Sequence, residues 1–492
     1  MSTSLRDLEP KELWNHFANL NAVPRPSKKE ERVIEFMIQF GKKLGLETFK
    51  DEIGNVIIKK PATKGLELKK TIVLQSHLDM VHQKNANTIF DFNTQGIEMI
   101  VDGDWVKAKG TTLGADNGIG VATIMSLLES EKIPHPPIEA LFTIDEETGM
   151  TGALNLKGGL LKGSILLNLD TEDDNELTIG CAGGIDVTAS GKYEQIPPSP
   201  NGISLILHIK GLTGGHSGMD IYKGRGNANK LMNRILSSAW DQFGVQINFI
   251  DGGSLRNAIP RESTAGIVVS KNNETEFKNF ILFIEKELQA EHQTTDPNLC
   301  LQIENSADLT LVFKEDFQSK LLNSLYACPN GIYRMSPDIL HLVQSSNNLA
   351  RVLVKDGLYT IQCLTRSSVD TEKMDLAMAL KYTFKLMDAK IDFSGSYPGW
   401  TPKPEATIVQ LMSTLYKEMN ADNALVSACH AGLECGILGS NYPNMEMISF
   451  GPNIRGAHSP DEKVQISSVQ KFWNFFLEVL NRIPDNPHII KS

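Results

Sequence analysis

A chain of 492 residues exceeds what one hydrophobic core usually serves, so two domains are the default expectation. Its 41% hydrophobic and 22% charged residues are those of an ordinary globular protein and exclude a disordered or fibrous one. A formal net charge of −11 argues against a nucleic-acid groove or an anionic membrane surface as partner, since both need clustered Lys and Arg.

The opening residues carry no apolar export signal, and no stretch reaches the roughly 18 apolar residues of a membrane span. Six cysteines are scattered without a Cys-x-x-Cys pair and read as reduced thiols, so a cytoplasmic location is expected.

In chain order, Ser27 and Glu30 have the spacing of a capping box ahead of Val33, Ile34, Phe36, Met37, Phe40 and Leu44, which predicts a helix ended by Gly45. Residues 49–60, with Gly54-Asn55 inside them, predict a hairpin. The apolar run 71–74 predicts a strand that leads into Gln75-Ser76-His77-Leu78-Asp79. On an extended segment His77 and Asp79 point the same way, an imidazole backed by a carboxylate, as at a metal-binding histidine. Residues 97–101 and 105–108 flank the turn Asp102-Gly103-Asp104 as a second hairpin. A glycine-rich turn, 113–120, then precedes Val121, Ile124, Met125, Leu127 and Leu128 at helical spacing, which stands Asp116 at a helix N-terminus.

Residues 138–144 predict a strand ending in Asp145-Glu146-Glu147, and 165–169 another ending at Asp170. A further strand at 447–450 leads on to His458. Four apolar strands thus deliver an acid or a histidine just past their C-terminal ends. With helical patterns between several of them, the predicted fold is α/β, a central mixed, partly parallel sheet flanked by helices, where ligands collect outside the carboxyl ends of the strands.

From 185 to 396 the rhythm changes to an inserted α+β domain in two βαββα-like sets, the second beginning with a strand at 309–313. The expected division is therefore 1–184 with 397–492 as one domain and 185–396 as the other. The last element is an amphipathic helix through Phe472, Phe475, Phe476, Val479 and Leu480.

Collected together, His77, Asp116, Glu147, Asp170 and His458 are two imidazoles and three carboxylates, with Asp79 and Glu146 beside them. Mixed nitrogen and oxygen donors suit Zn²⁺, Mn²⁺ or Co²⁺, and one bridging carboxylate with a His and an acid on each side would satisfy two ions about 3.5–4 Å apart. Each residue has a plainer account: Asp116 caps a helix, Glu146 and Glu147 form a solvated turn, Asp170 starts a loop and His458 is one of eleven histidines. Those accounts weaken jointly, because every candidate falls past a strand end. Gly118-Ile119-Gly120 imitates a dinucleotide fingerprint, but Thr123 stands at its third glycine position.

The ordered motifs Ser76-His77-Leu78-Asp79, Gly114-Ala115-Asp116-Asn117-Gly118, Asp145-Glu146-Glu147-Thr148-Gly149, Leu169-Asp170 and Gly456-Ala457-His458-Ser459-Pro460 resemble those of the co-catalytic dizinc aminopeptidase, carboxypeptidase and aminoacylase family. Among its members the bacterial aminoacyl-histidine dipeptidases match best, over nearly the whole chain. The resemblance implies hydrolysis of unblocked dipeptides, carnosine-like Xaa-His peptides among them, with two divalent ions, zinc first and manganese or cobalt as alternatives. It implies that His77 and Asp170 hold one ion, Glu147 and His458 the other, and that Asp116 bridges them. Asp79 would orient His77, Glu146 would take a proton from the water between the ions, and the Asp116–Asn117 peptide would be cis.

The resemblance also makes the inserted domain a lid. There His216, among Gly214, Gly215 and Gly218, would donate to the developing oxyanion, often from a partner subunit, so a homodimer through this domain is an expectation. Asn257 and Arg366 fall in its substrate-binding stretches, with Arg366 placed to clamp a carboxylate bidentately. Glu434, after His430-Ala431-Gly432-Leu433, would read the substrate amino group. Two other readings stay open: an N-acyl amino-acid amidohydrolase with the same dimetal core, and a catalytically silent metal-binding scaffold.

Overall fold

Four strands, Ile138–Thr143, Ile72–His77, Ile165–Asn168 and Glu446–Ser449, lie side by side and parallel at the centre of an eight-stranded sheet. Every residue of the first three is buried, which is why they read as continuous apolar runs: a parallel sheet covered on both faces has no solvent side to mark by alternation. The hairpin Glu47–Lys50 and Val56–Lys60 extends one side of the sheet antiparallel, and Glu176–Cys181 continues the other, so the sheet is mixed as predicted. The structure, a computed structural model, describes residues 4–487.

Contacts divide the chain into two units. The first is Met1–Gly180, Trp400–Ala428 and Leu433–Ser492; the second is Cys181–Gly399 with Cys429–Gly432. In the first, the helix Ala115–Glu129 is buried all round, and Ile119 and Ala122 join Trp14 and Phe17 of the helix Lys11–Asn21 in one apolar cluster. The helix Ile466–Arg482 buries Phe472, Phe475, Phe476, Val479 and Leu480, the stripe that its spacing predicts.

The helix Glu31–Lys43 is followed by Leu44 and by Gly45 at φ 68°, the left-handed turn that stops it. Its expected capping box does not form. The Ser27 hydroxyl donates instead to Asp79 Oδ2 at 2.8 Å, and Glu30 Oε1 accepts the Lys28 N–H at 2.7 Å. Asp79 is fully buried and a buried carboxylate needs donors, so it takes the hydroxyl.

The second unit is an antiparallel sheet in the order Cys300–Asn305, Gly202–Lys210, Ser263–Ser270, Gln246–Gly252, Val343–Lys355, Leu358–Ser367, Gly183–Lys192 and Lys390–Tyr397. The helices Ala228–Phe243, Glu274–Glu291, Glu315–Ala327 and Asp370–Lys385 share one apolar core with it. The two predicted sets meet where Ile250 pairs with Val354. They are not a simple tandem, because the expected strand at 309–313 shrinks to Val312–Phe313, paired only with Gln195–Ile196. Leu311 is exposed while Val312 and Phe313 are buried, and in the main sheet Leu358–Ser367 pairs with Gly183–Lys192, from earlier in the chain.

Candidate metal centre

His77 ends its strand and is 1% exposed. Its Nε2 lies 3.2 Å from Asp116 Oδ1, 3.6 Å from Asp170 Oδ1 and 4.0 Å from Glu146 Oε2. His458 brings its Nε2 to 3.3 Å from Asp116 Oδ2 and 3.0 Å from Glu147 Oε2. Asp116 therefore turns one oxygen to each imidazole. The donors of His77, Asp116 and Asp170 lie within 4.8 Å of one another, as do those of Asp116, Glu147 and His458.

Backbone conformation aims these side chains. The Asp116–Asn117 peptide is cis, and Asp116 itself is extended at ψ 111° although the helix runs through it. Asp145 and His458 adopt left-handed φ values of 52° and 64°, which turn the chain sharply beside Glu146 and at the second imidazole. The far nitrogen of His77, Nδ1, sits 3.3 Å from Asp79 Oδ1. Asp79 also accepts the backbone N–H of Glu146 at 3.0 Å and of Glu147 at 3.2 Å, so one buried carboxylate ties the imidazole to the turn that carries both glutamates.

Two residues that the sequence reading did not single out hold this frame. Glu462, 2% exposed, accepts four backbone N–H groups, from Leu113 at 2.7 Å, Gly114 at 2.9 Å, Ala115 at 2.7 Å and Asp116 at 3.2 Å. Arg25, 1% exposed, donates to the carbonyls of Leu78, Asp79 and Gly114 at 3.0, 3.0 and 2.6 Å. Together they lock the backbone of the His77 and Asp116 segments. Glu462→Gln puts an amide N–H against these donors, at about 1–3 kcal/mol for each buried group left unpaired. The expected result is a roughly 10–100-fold weaker affinity for metal, measured by chelator competition; an unchanged affinity contradicts this role.

The electrostatics are those of a cation site. Burial pushes the Glu146 and Asp170 carboxyls well above their usual range. Burial opposes charge on His77, yet Asp170, Asp116 and Asp79 hold its imidazole well above the ordinary value. Hydrogen bonds to Asp116 and Glu147 lift His458 to about 11. A cluster that draws protons onto its histidines this strongly lacks positive charge. Buried Glu147 Oε1 and Asp170 Oδ1 have no hydrogen-bond partner, which a bound ion would supply. The imidazole-to-carboxylate spacings also suit donors about 2.0–2.2 Å from a shared ion. The residues fit a pair of divalent cations.

In the same unit Glu434 is buried, and its Oε2 accepts from Gln75 Nε2 and Thr143 Oγ1, each at 2.6 Å, on two of the central strands. Its Oε1 has no partner, and burial raises its pKa to about 7.

The second unit gathers the remaining candidates. His216 Nδ1 accepts the N–H groups of Gly218 at 3.2 Å and Met219 at 3.0 Å, which puts the ring proton on Nε2. Burial and the nearby Arg366 hold its pKa below the usual value, so it is a neutral donor. Arg366 is buried, gives Nη1 to the Tyr397 hydroxyl at 2.7 Å and leaves Nε without a partner. A Cβ at Gly218 would stand 3.1 Å from Arg366 Nε and 3.2 Å from His216 Cε1 and would collide with the His430 carbonyl oxygen, so only glycine lets these three converge. Asn257 is exposed, and its carbonyl accepts the Ser217 N–H at 2.8 Å.

Residues 73–482 match the model of peptidase family M20/M25/M40. The chain belongs to this family. It is 39% identical to the cytosol non-specific dipeptidase of Escherichia coli (strain K12), over 98% of this chain and 99% of that protein. The crystal structure of aminoacylhistidine dipeptidase from Vibrio alginolyticus superposes with a TM-score of 0.92 at 41% identity, covering 98% of this chain and 99% of that one. An aminopeptidase from Bacillus cereus, at 16% identity, TM-score 0.56 and coverage of 97% and 99%, shares the fold. For a member of this family no helix among the described residues is long and apolar enough to cross a membrane.

Proposed function

We propose that the protein is a dimetal-dependent dipeptidase that hydrolyses unblocked dipeptides, with Xaa-His peptides among its substrates. The observation that carries this reading is Asp116, one oxygen turned to His77 and the other to His458, with Glu146 beside them. High identity over the whole chain to two dipeptidases supports it. A cytoplasmic location follows the E. coli relative, whose name places it in the cytosol.

In this reading His77 and Asp170 would hold one divalent ion, Glu147 and His458 the other, and Asp116 both; the ions, zinc or else manganese or cobalt, would supply Lewis acidity toward the scissile carbonyl and the attacking water. Glu146 accepts the proton of that water and returns it to the leaving amine. Asp79 keeps His77 in the tautomer with Nε2 toward the carboxylates. Glu434 offers its unpartnered oxygen to the substrate ammonium. The second unit is read as the lid and dimerisation domain and the first as the catalytic domain; from the second, His216 would give Nε2–H to the oxyanion, and Arg366 and Asn257 would bind the substrate carboxylate. A homodimer through this unit fits its edge strand Gly331–Met335, which leaves Ile332, Tyr333 and Met335 exposed.

Glu434 separates this reading from an N-acyl amino-acid amidohydrolase, whose substrate has no ammonium to bind. A panel of β-Ala-His, other Xaa-His and Xaa-Gly dipeptides, a tripeptide and an N-acetyl amino acid tests it. Cleavage of the dipeptides, with Glu434→Gln costing about 10–100-fold in kcat/KM, is expected from a lost charged hydrogen bond. Preference for the N-acetyl substrate contradicts the proposal.

A further inference from the structure

The strand Val343–Lys355 begins with a run of uncharged polar residues, Gln344-Ser345-Ser346-Asn347-Asn348, that is buried throughout. Burying five such side chains is unfavourable unless each finds partners. Two of them serve as ordinary packing links: Asn347 donates to the Pro329 carbonyl at 2.7 Å and accepts from the Thr365 hydroxyl at 3.1 Å, and Ser346 Oγ meets His430 Nε2 at 2.7 Å. Asn348 does something different.

Asn348 is 1% exposed. Its Nδ2 donates to the carbonyl of Arg256 at 3.1 Å and to that of Ala258 at 2.8 Å, the residues on either side of Asn257. Its Oδ1 accepts from Asn227 Nδ2 at 3.3 Å. The carbonyl of Asn257 takes the Ser217 N–H, and the adjacent residues form a short antiparallel ladder, Gly215 with Ile259 and His216 with Ala258. The side chain of Asn257 is exposed while the backbone around it is bonded at three points. Only a primary amide of this length offers two N–H groups to two carbonyls and an oxygen to a third partner. Asp would set an acceptor against acceptors, Ser has a single donor, and Gln is one methylene too long.

We propose that Asn348 is a positioning residue for substrate recognition: its buried amide, bonded to the carbonyls flanking Asn257, sets the placement of Asn257 and, through the ladder from Ala258, of His216. The inference rests on the roles given above to Asn257 and His216. It makes the polar start of this strand part of the recognition apparatus through hydrogen bonds to backbone carbonyls.

The test is a double-mutant cycle on the metal-loaded full-length protein with one unblocked dipeptide. Asn348→Ser and Asn348→Gln are each made in the wild type and in Asn257→Ala and His216→Ala backgrounds. Thermal unfolding and metal content are measured for every variant, and the Gln variant serves if the Ser variant does not fold. Misplacing a binding group by a fraction of an ångström costs up to about 100-fold, so a loss of about 10–100-fold in kcat/KM is expected in the wild type. In at least one of the two truncated backgrounds the loss should shrink to within about threefold, since there is no longer a side chain to misplace, within the tolerance of such cycles. An equal loss in all backgrounds means that Asn348 supports the fold generally and overturns the inference. So does an unchanged wild-type kcat/KM while Asn257→Ala or His216→Ala is impaired. Full activity in both Asn257→Ala and His216→Ala overturns the functional reading of those residues, and the inference with it.

Discussion

Replacing Glu146 with Gln is expected to lower kcat for dipeptide hydrolysis by about 10²- to 10⁴-fold while metal content and folding stay unchanged. The backbone of Glu146 is fixed by Asp79, and its Oε2 is 4.0 Å from His77 Nε2, beside the candidate metal ligands. Burial raises its pKa above the ordinary carboxyl value. Gln matches its shape and accepts hydrogen bonds but cannot accept a proton, so KM should move little. Steady-state kinetics, metal analysis and an unfolding curve on the same preparation check this. Retention of kcat within a few-fold would remove Glu146 from the proton transfer.

Asp116→Ala should have an effect at least as large by a different route. Asp116 is the residue common to the two ligand groups, His77 with Asp170 and Glu147 with His458, so its removal strips a donor from each at once. We expect loss of both ions and of all measurable turnover, well beyond the roughly 10–100-fold that a partner such as Asp79, acting through His77, is worth. Metal content after dialysis reads this directly, and a variant that still held two equivalents would show that Asp116 does not bridge.

The candidate metal ligands were legible because the fold marks them in one dimension. A parallel strand buried on both faces is a continuous apolar run, and His77, Glu146, Glu147 and Asp170 stand where such runs stop. Glu462 and Arg25 left no such mark. Glu462 bonds backbone groups 349 positions away at Leu113, and in sequence it is one more acid after a proline. Arg25, which meets carbonyls of three separate residues, reads as an ordinary charge between two prolines. Ser27 misled for a related reason: its spacing to Glu30 is that of a capping box, but the stronger acceptor, Asp79, lies far along the chain. Local pattern gives the residue that carries chemistry, whereas the groups that orient it act through backbone contacts that only the fold creates.

On the proposed function, two ions held around Asp116 make this chain a dipeptidase. Metal-free protein, prepared with a chelator, should be inactive on unblocked dipeptides and should regain activity on titration with Zn²⁺, Mn²⁺ or Co²⁺. The titration followed by calorimetry and by turnover should reach two equivalents per chain, with full activity at the second. Undiminished dipeptide cleavage by protein shown to be free of metal, or saturation at a single equivalent, would contradict it.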